Sequence, residues 1–305
     1  MLPGIRRRAD RFLGPQTAVF WAWASLISQI LIVATGGLVR LTGSGLGCPT
    51  WPKCTTDSLV TVPAQGYHGL IEFGNRLLTF VLLNIAVAMW AVAVRKRGAA
   101  RELGLLWPSI VLLAGVPAQA ILGGFTVWSK LNPWFVGSHF ILSGIMIVVA
   151  TILVWRAHNP GVQVVPAFAY SLAPVIWVFG VVAVVVGVLV TGAGPHAGDA
   201  QSVRNGLDLA VWEHYHSYPA YSLLWLVFVQ FLVLFRADRS EDGKRGRGLP
   251  ARIARWLLVV LIAQAAIGVA QSRLGVPATL VEIHMLLASC LISLITFDYL
   301  ATRAK

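Results

Sequence analysis

Eight apolar runs divide this chain, near residues 17–38, 68–94, 104–127, 136–155, 168–191, 211–235, 254–272 and 280–300. Each is long enough to cross about 30 Å of hydrocarbon as a helix. Inside a bilayer every backbone N–H and C=O must be satisfied within its own segment, so runs of this kind fold as helices and not as open strands. With 57% hydrophobic residues, 12% charged and a mean hydropathy of +0.75, no soluble domain could hide so much apolar surface. The expected fold is an all-α polytopic membrane protein of eight transmembrane helices.

The chain is also written twice. Residues 118–139, AQAILGGFTVWSKLNPWFVGSH, return as 263–284, AQAAIGVAQSRLGVPATLVEIH, so that Gln119 stands to His139 as Gln264 stands to His284. VRLTGSG at 39–45 returns as VLVTGAG at 188–194, and Glu72-x-x-Asn75 returns as Glu213-x-x-His216. These offsets, 145, 149 and 141, are each close to half the chain, which reads as a tandem duplication of one unit of about 150 residues. Four runs fall in each copy. An even number of spans returns the chain to its starting side, so the expectation is two tandem four-helix bundles related by a pseudo-two-fold axis along the membrane normal. The divisions that follow are 1–16, an N-terminal cytoplasmic segment; 17–158, the N-terminal bundle; 159–235 with 254–300, the C-terminal bundle; 236–253, a mobile cytoplasmic linker; and 301–305, a tail.

The net charge of +12 is distributed as a topology signal and not as a nucleic-acid footprint. With the N-terminus inside, eighteen Lys and Arg lie in inner segments, among them Arg6, Arg7, Arg8, Arg95, Lys96, Arg97 and Arg247. Five lie in outer segments, Arg40, Lys53, Lys130, Arg204 and Arg273, and Arg76 lies within a span. That bias places both termini in the cytoplasm of a cell-membrane protein whose contacts are with lipid and not nucleic acid. The opening residues lack a signal-peptide cleavage pattern, so the first span is expected to be retained.

In this orientation the intramembrane polar residues share one depth. His139, His216 and His284 lie near the outer starts of spans 4, 6 and 8, and Glu72 and Asn75 lie at the same level of span 2. An ionisable group in hydrocarbon is costly unless it is paired, wetted or bound to something, so a set recurring in register marks a functional site. Facing imidazoles in a helical bundle, without a cluster of carboxylates or thiolates, suit haem iron better than zinc or a di-iron centre. The small residues Gly123, Gly124, Gly137, Ser138, Gly144 and Gly268 offer room for a flat macrocycle, or for close helix packing.

The stretches GGLVRLTGSGLGCPTWPKC at 36–54, IEFGNR at 71–76, Ser138-His139, TGAGPH at 191–196 and Ile283-His284 together resemble the haem A synthase family, over residues 17 to 300. The resemblance implies an enzyme that oxidises a methyl group of haem O to a formyl group by successive hydroxylations, making haem A for aa3-type cytochrome oxidases. It implies a haem b cofactor between His216 and His284 in the second bundle. Haem O is then the substrate in the first bundle, with His139 a ligand, Arg76 nearby and Glu72 catalytic. Haem O synthase and cytochrome oxidase assembly factors are the implied partners, with homo-oligomerisation left open.

The chain departs from the family pattern at Asn75, where a second N-terminal histidine is usual. A neutral amide is a weak iron ligand, so the substrate haem is expected to be five-coordinate through His139 or ligated by another group, with His68 an alternative set about 10 Å further out. Glu72 and Arg76 are also spaced as a helical ion pair. Glu213 is expected to orient His216 or a propionate-bound water, and His214 is the rival ligand on a different helix face.

Cys48 and Cys54 lie in the first outer loop and can form a disulfide there, either a structural staple or an exposed bridge exchanging with a partner. Cys290 reads as packing, His158 as a boundary residue, and His196 has no evident role. The competing function is a di-haem b-type membrane cytochrome exchanging electrons with quinone, which would want one haem near each face. A transporter is the weakest reading, because the spans show no polar track toward the cytoplasmic side.

Overall fold

The computed structural model describes residues 17–95, 104–238, 246 and 248–303. Among them the long elements are eight α-helices: α1 (Ala18–Leu41), α2 (Gly66–Arg95), α3 (Leu106–Trp128), α4 (Pro133–His158), α5 (Ala167–Ala193), α6 (Leu209–Ala237), α7 (Leu249–Arg273) and α8 (Ala278–Arg303). A single 3-10 turn, Pro63–Gln65, leads into α2. All eight helices are long and apolar enough to cross a membrane, with mean hydropathies from 1.8 to 2.7 over their most apolar stretches. The protein is therefore a multi-pass membrane protein. The N-terminal segment 1–16 and residues 239–245 and 247 of the expected linker lie outside the described residues, and the linker is shorter than the expected 236–253, because α6 runs to Ala237 and α7 begins at Leu249.

Several helices outrun the apolar stretches because polar caps extend them. Asn132 accepts the Trp134 N–H at 3.0 Å and Pro133 opens the first turn, so α4 begins at 133. At its other end Asn159 adopts a left-handed conformation, φ 46°, which stops the helix. Asp208 caps α6 by accepting the Val211 N–H. Pro117, Pro174 and Pro219 lie inside α3, α5 and α6, as membrane helices permit.

In the first half α1 packs on α2 and α4, and α3 on the same two helices; in the second half α5 packs on α6 and α8, and α7 on those two. Thus α2 and α4, and likewise α6 and α8, stand diagonally across their quartets. Contact between the halves runs through α4 with α8, α1 with α8, and α4 with α5. Leu26, Met89, Leu112, Met146, Ile147 and Leu153 are fully enclosed in the first half, and Ile176, Leu223, Val227, Leu257 and Ile295 fill the second. Phe20, Leu31, Phe80, Val178, Trp225 and Ile262 remain outward-facing, as a lipid solvent allows.

The loops after α1, α5 and α7, at one end of the bundle, interlock. Gly45 N–H donates to the Gly198 carbonyl at 2.9 Å. Arg40, from the end of α1, donates to the His196 carbonyl at 2.5 Å and the Thr191 carbonyl at 2.7 Å. His196 Nε2 in turn donates to the Val276 carbonyl at 2.8 Å, which gives His196 a role the sequence did not reveal. His158, at the C-terminal end of α4, accepts the indole N–H of Trp23 at 2.8 Å and so ties α4 to α1.

Candidate functional site

The sequence repeat reappears as repeated geometry. Gln119 on α3 donates to the His139 carbonyl on α4 at 3.2 Å, and Gln264 on α7 donates to the His284 carbonyl on α8 at the same 3.2 Å. Each bond sets a histidine helix against the helix before it. One turn beyond each glutamine stands a glycine, Gly123 and Gly268, whose missing Cβ would lie 3.4 Å from His139 Cε1 and 3.2 Å from His284 Cε1. His216 has the same arrangement with Gly187 of α5, at 3.0 Å. A larger residue at 187 would force the imidazole aside, so glycine is there for close approach. Of the small residues proposed from sequence, Gly124 meets Trp51, Gly137 meets Val188 and Gly144 meets Ile292, and Ser138 is exposed; Gly187 went unrecognised.

All three imidazoles are poised in one way. His139, His216 and His284 each enclose Nδ1, with the His216 and His284 rings set against the backbone of Ala183 and Gln264, whereas Nε2 is not enclosed. The rings of His216 and His284 meet across the diagonal of the second quartet, with centroids 6.4 Å apart and planes inclined at 69°. A histidine nitrogen binds a transition metal at about 2 Å, so two imidazoles on opposite sides of one ion stand with ring centres roughly 6 Å apart. The pair thus fits one two-ligand metal. Among the described residues no group of three or more His, Cys, Asp or Glu could hold an ion, which leaves no cluster of the zinc or di-iron kind there.

In the first quartet the residue equivalent to His216 is Asn75, half-buried, with Oδ1 enclosed and unpartnered. Burying an amide oxygen without a donor is costly, so this position also calls for a ligand or water. His68 does not share that freedom, since its Nδ1 is hydrogen-bonded to Ser44 Oγ at 2.9 Å. His214 is exposed and bonded to the Ala210 carbonyl of its own helix. Glu213 accepts from Ser272 Oγ at 2.8 Å, a link from α6 to α7 in place of the expected link to His216.

Glu72 and Arg76 form the helical ion pair and do more. Glu72, 6% exposed, accepts Arg76 through Oε1 and the Cys48 N–H through Oε2 at 2.6 Å. Arg76 also donates to the carbonyls of Cys48, Thr50 and Lys53. The pair therefore clamps the α1–α2 loop. Cys48 and Cys54 are disulfide-bonded within that loop, and both are 0% exposed. Of the two roles left open by sequence, an enclosed bridge suits the staple and not thiol exchange.

One polar pair escaped the sequence reading altogether. At the end of the second quartet away from His216 and His284, Gln230 Nε2 donates to Asp298 Oδ2 at 2.6 Å, with both side chains 1% exposed. Each lies singly in an apolar run, and only their diagonal meeting makes them visible.

Comparison with known proteins gives the family. The profile of the COX15-CtaA family, described as cytochrome oxidase assembly protein, matches residues 19–296. A protein named heme A synthase from Geobacillus thermodenitrificans is 32% identical over 139 residues, 44% of this chain and 41% of its own. One of the same name from Listeria welshimeri is 25% identical over 316 residues, 93% of this chain and 95% of its own. A protoheme IX farnesyltransferase from Thermus thermophilus is 27% identical over 302 residues, 93% of this chain but 48% of that protein. The chain thus spans about two fifths of the Geobacillus relative and about half of the Thermus one. A family match running from the first span to the last, over a scaffold of eight membrane helices, makes this chain a member of the COX15-CtaA family of cytochrome oxidase assembly proteins.

Proposed function

We propose that the protein is a haem A synthase, oxidising a methyl group of haem O to a formyl group. The observation that carries the reading is the 6.4 Å pair His216 and His284, repeated in part by His139, in a member of this family whose relatives bear that name. The second quartet, α5–α8, holds haem b between His216 and His284. The first quartet, α1–α4, takes haem O on His139.

The donor set fits both groups. Nε2 atoms that are not enclosed and glycines that let the rings approach the neighbouring helices would suit imidazole ligands to a haem. Haem b, when bound, supplies one-electron transfer between the substrate and an external acceptor. The protein's residues bind, orient and accept protons. His139 anchors the substrate iron from α4, and Asn75 leaves the opposite side open or weakly held. Glu72 lies on the same face of α2 as Asn75, and Oε1, shared with Arg76, would take protons in turn as the methyl group gains an oxygen from water and gives up four electrons, passed on to the external acceptor, and four protons. Arg76 holds that carboxylate in its ion pair and ties down the loop over the site.

The same reading places the protein in the cell membrane with both termini cytoplasmic and the haem sites near the outer face. Haem O comes from a prenylating enzyme, and the Thermus protein named protoheme IX farnesyltransferase, matched over 48% of its length, supports such a partner. Cytochrome oxidase assembly factors would receive the product. The decisive experiment is extraction and mass identification of the porphyrins bound by the purified chain when haem O is supplied. Haem A or a hydroxylated haem O beside haem b is expected, and haem b alone would leave only an electron carrier.

A further inference from the structure

Gln230 is fourteen residues beyond His216 on α6, and Asp298 is fourteen beyond His284 on α8. Fourteen residues are close to four helical turns, so the two pairs project from the same faces of the same diagonal helices, about 21 Å apart along the bundle. The second quartet therefore contains two facing pairs, one of imidazoles near the outer end and one of acid and amide near the inner end.

The inner pair is incomplete as drawn by its heavy atoms. Beyond the 2.6 Å bond from Gln230 Nε2 to Asp298 Oδ2, the other two oxygens, Asp298 Oδ1 and Gln230 Oε1, are enclosed and have no partner. No cation of the described chain meets them. Arg303 donates to Tyr170, Arg156 lies on the Gly104 carbonyl and the Trp107 ring, and His158 is engaged with Trp23. Asp238 accepts the Gly248 N–H, while Arg236, Arg252 and Arg255 are exposed. An ionised carboxylate 1% exposed with a single amide donor would carry a desolvation cost that nothing here offsets. A proton on Oδ1 removes that charge and supplies the one missing donor, which Gln230 Oε1 can accept to close an acid–amide ring.

The fold itself does not require this pair. The repeat sets Gln230 opposite Met89 and Asp298 opposite Leu153, by the same offsets that relate His216 to Asn75 and His284 to His139. Met89 and Leu153 are both 0% exposed in the core of the first quartet. Positions paired by the repeat thus hold apolar packing in one half and, in the other, a pair satisfied only when protonated.

We propose that Asp298 and Gln230 form a buried proton-binding site at the inner end of the second quartet, its occupancy linked to the charge on the metal between His216 and His284. The linkage rests on the haem b reading; the bound proton does not. A positive charge held between His216 and His284 would favour release of the Asp298 proton, and loss of that charge would favour its retention, so the carboxylate's proton would follow the charge at the other pair. Over about 21 Å of membrane protein, such charges interact with little screening.

The test uses the full purified chain and the double substitution Gln230→Met with Asp298→Leu, which copies the first quartet and should fold with unchanged thermal stability. Infrared spectra of the wild type should contain a protonated-carboxyl band that shifts in deuterium oxide and is missing from the double variant and from Asp298→Asn. Indistinguishable spectra would overturn the proton site whether or not haem is bound. In the haem-loaded chain the midpoint potential should fall with rising pH, and the double variant should lose most of that slope. Equal slopes would overturn the linkage, and absence of a b-type spectrum in the wild type would instead overturn the haem reading while leaving the infrared result intact.

Discussion

The rings of His216 and His284 face each other at 6.4 Å across the diagonal of α5–α8, each with its Nδ1 turned into protein and its Nε2 left open. Two helices that are not neighbours hold that spacing because each histidine ring abuts a glycine on the helix beside it, Gly187 or Gly268.

Loss of either ring should be visible without an assay of turnover. His284→Ala and His216→Ala are each expected to abolish a low-spin b-type spectrum in the purified protein while the helical content measured by circular dichroism stays. A variant with the wild-type spectrum would remove that histidine from the ligand set.

The glycines behind the rings should respond in order of contact distance. Alanine at Gly187 brings a methyl to 3.0 Å from the imidazole, at Gly268 to 3.2 Å and at Gly123 to 3.4 Å, an ordinary contact. Overpacking of this kind costs about 1–3 kcal/mol where the ring must move. Haem retention on a gel-filtration column should fall most for Gly187→Ala and least for Gly123→Ala.

Asn75→His restores a second imidazole opposite His139 in the first quartet. The expected outcome is a new low-spin signal in electron paramagnetic resonance when haem O is supplied, together with slower product formation. No new signal would mean that residue 75 does not reach the substrate iron.

Glu72→Ala should leave haem binding in the second quartet intact but let haem O or a hydroxylated product accumulate. Because Glu72 also holds the Cys48 N–H, the first outer loop should become sensitive to proteolysis in the same variant. Removing one partner of a buried ion pair costs roughly 3–5 kcal/mol, so Glu72→Gln, which keeps an acceptor for Cys48, separates the two effects. Normal haem A output from Glu72→Gln would take proton transfer away from this residue.

The double substitution Cys48→Ser with Cys54→Ser is expected to cost about 2 kcal/mol, the loop-closure value for so short a ring. Haem content should be retained. Thiol reagents should leave the native bridge untouched until the loop is unfolded, since both sulfurs are enclosed.

Much of the site was legible because membrane sequence is a sparse code. An apolar run hides nothing polar by accident, so His139, His216 and His284 stood out, and the repeat aligned them with each other. The glutamines 119 and 264 were legible as a spacing, though not as donors to the histidine carbonyls. Gly187 was not legible, because a glycine among Val and Leu reads equally well as helix packing until a ring is seen against it. Arg40 and His196 read as loop residues, and only the meeting of the α5–α6 loop with the end of α1 and with the α7–α8 turn gives them partners.

The sequence by itself determined that this is a bundle of eight membrane helices built from a doubled unit, because length, hydropathy and register are properties of a chain read along its own axis. What the tertiary structure decided is which side chains meet across the diagonals: His216 with His284, and Gln230 with Asp298. Those pairings come from helices 68 residues apart in the chain, and nothing local in either helix specifies its partner. The physical reason is that packing chooses neighbours through shape, at glycines and glutamine bonds spread over four helices, whereas hydropathy chooses only between lipid and water.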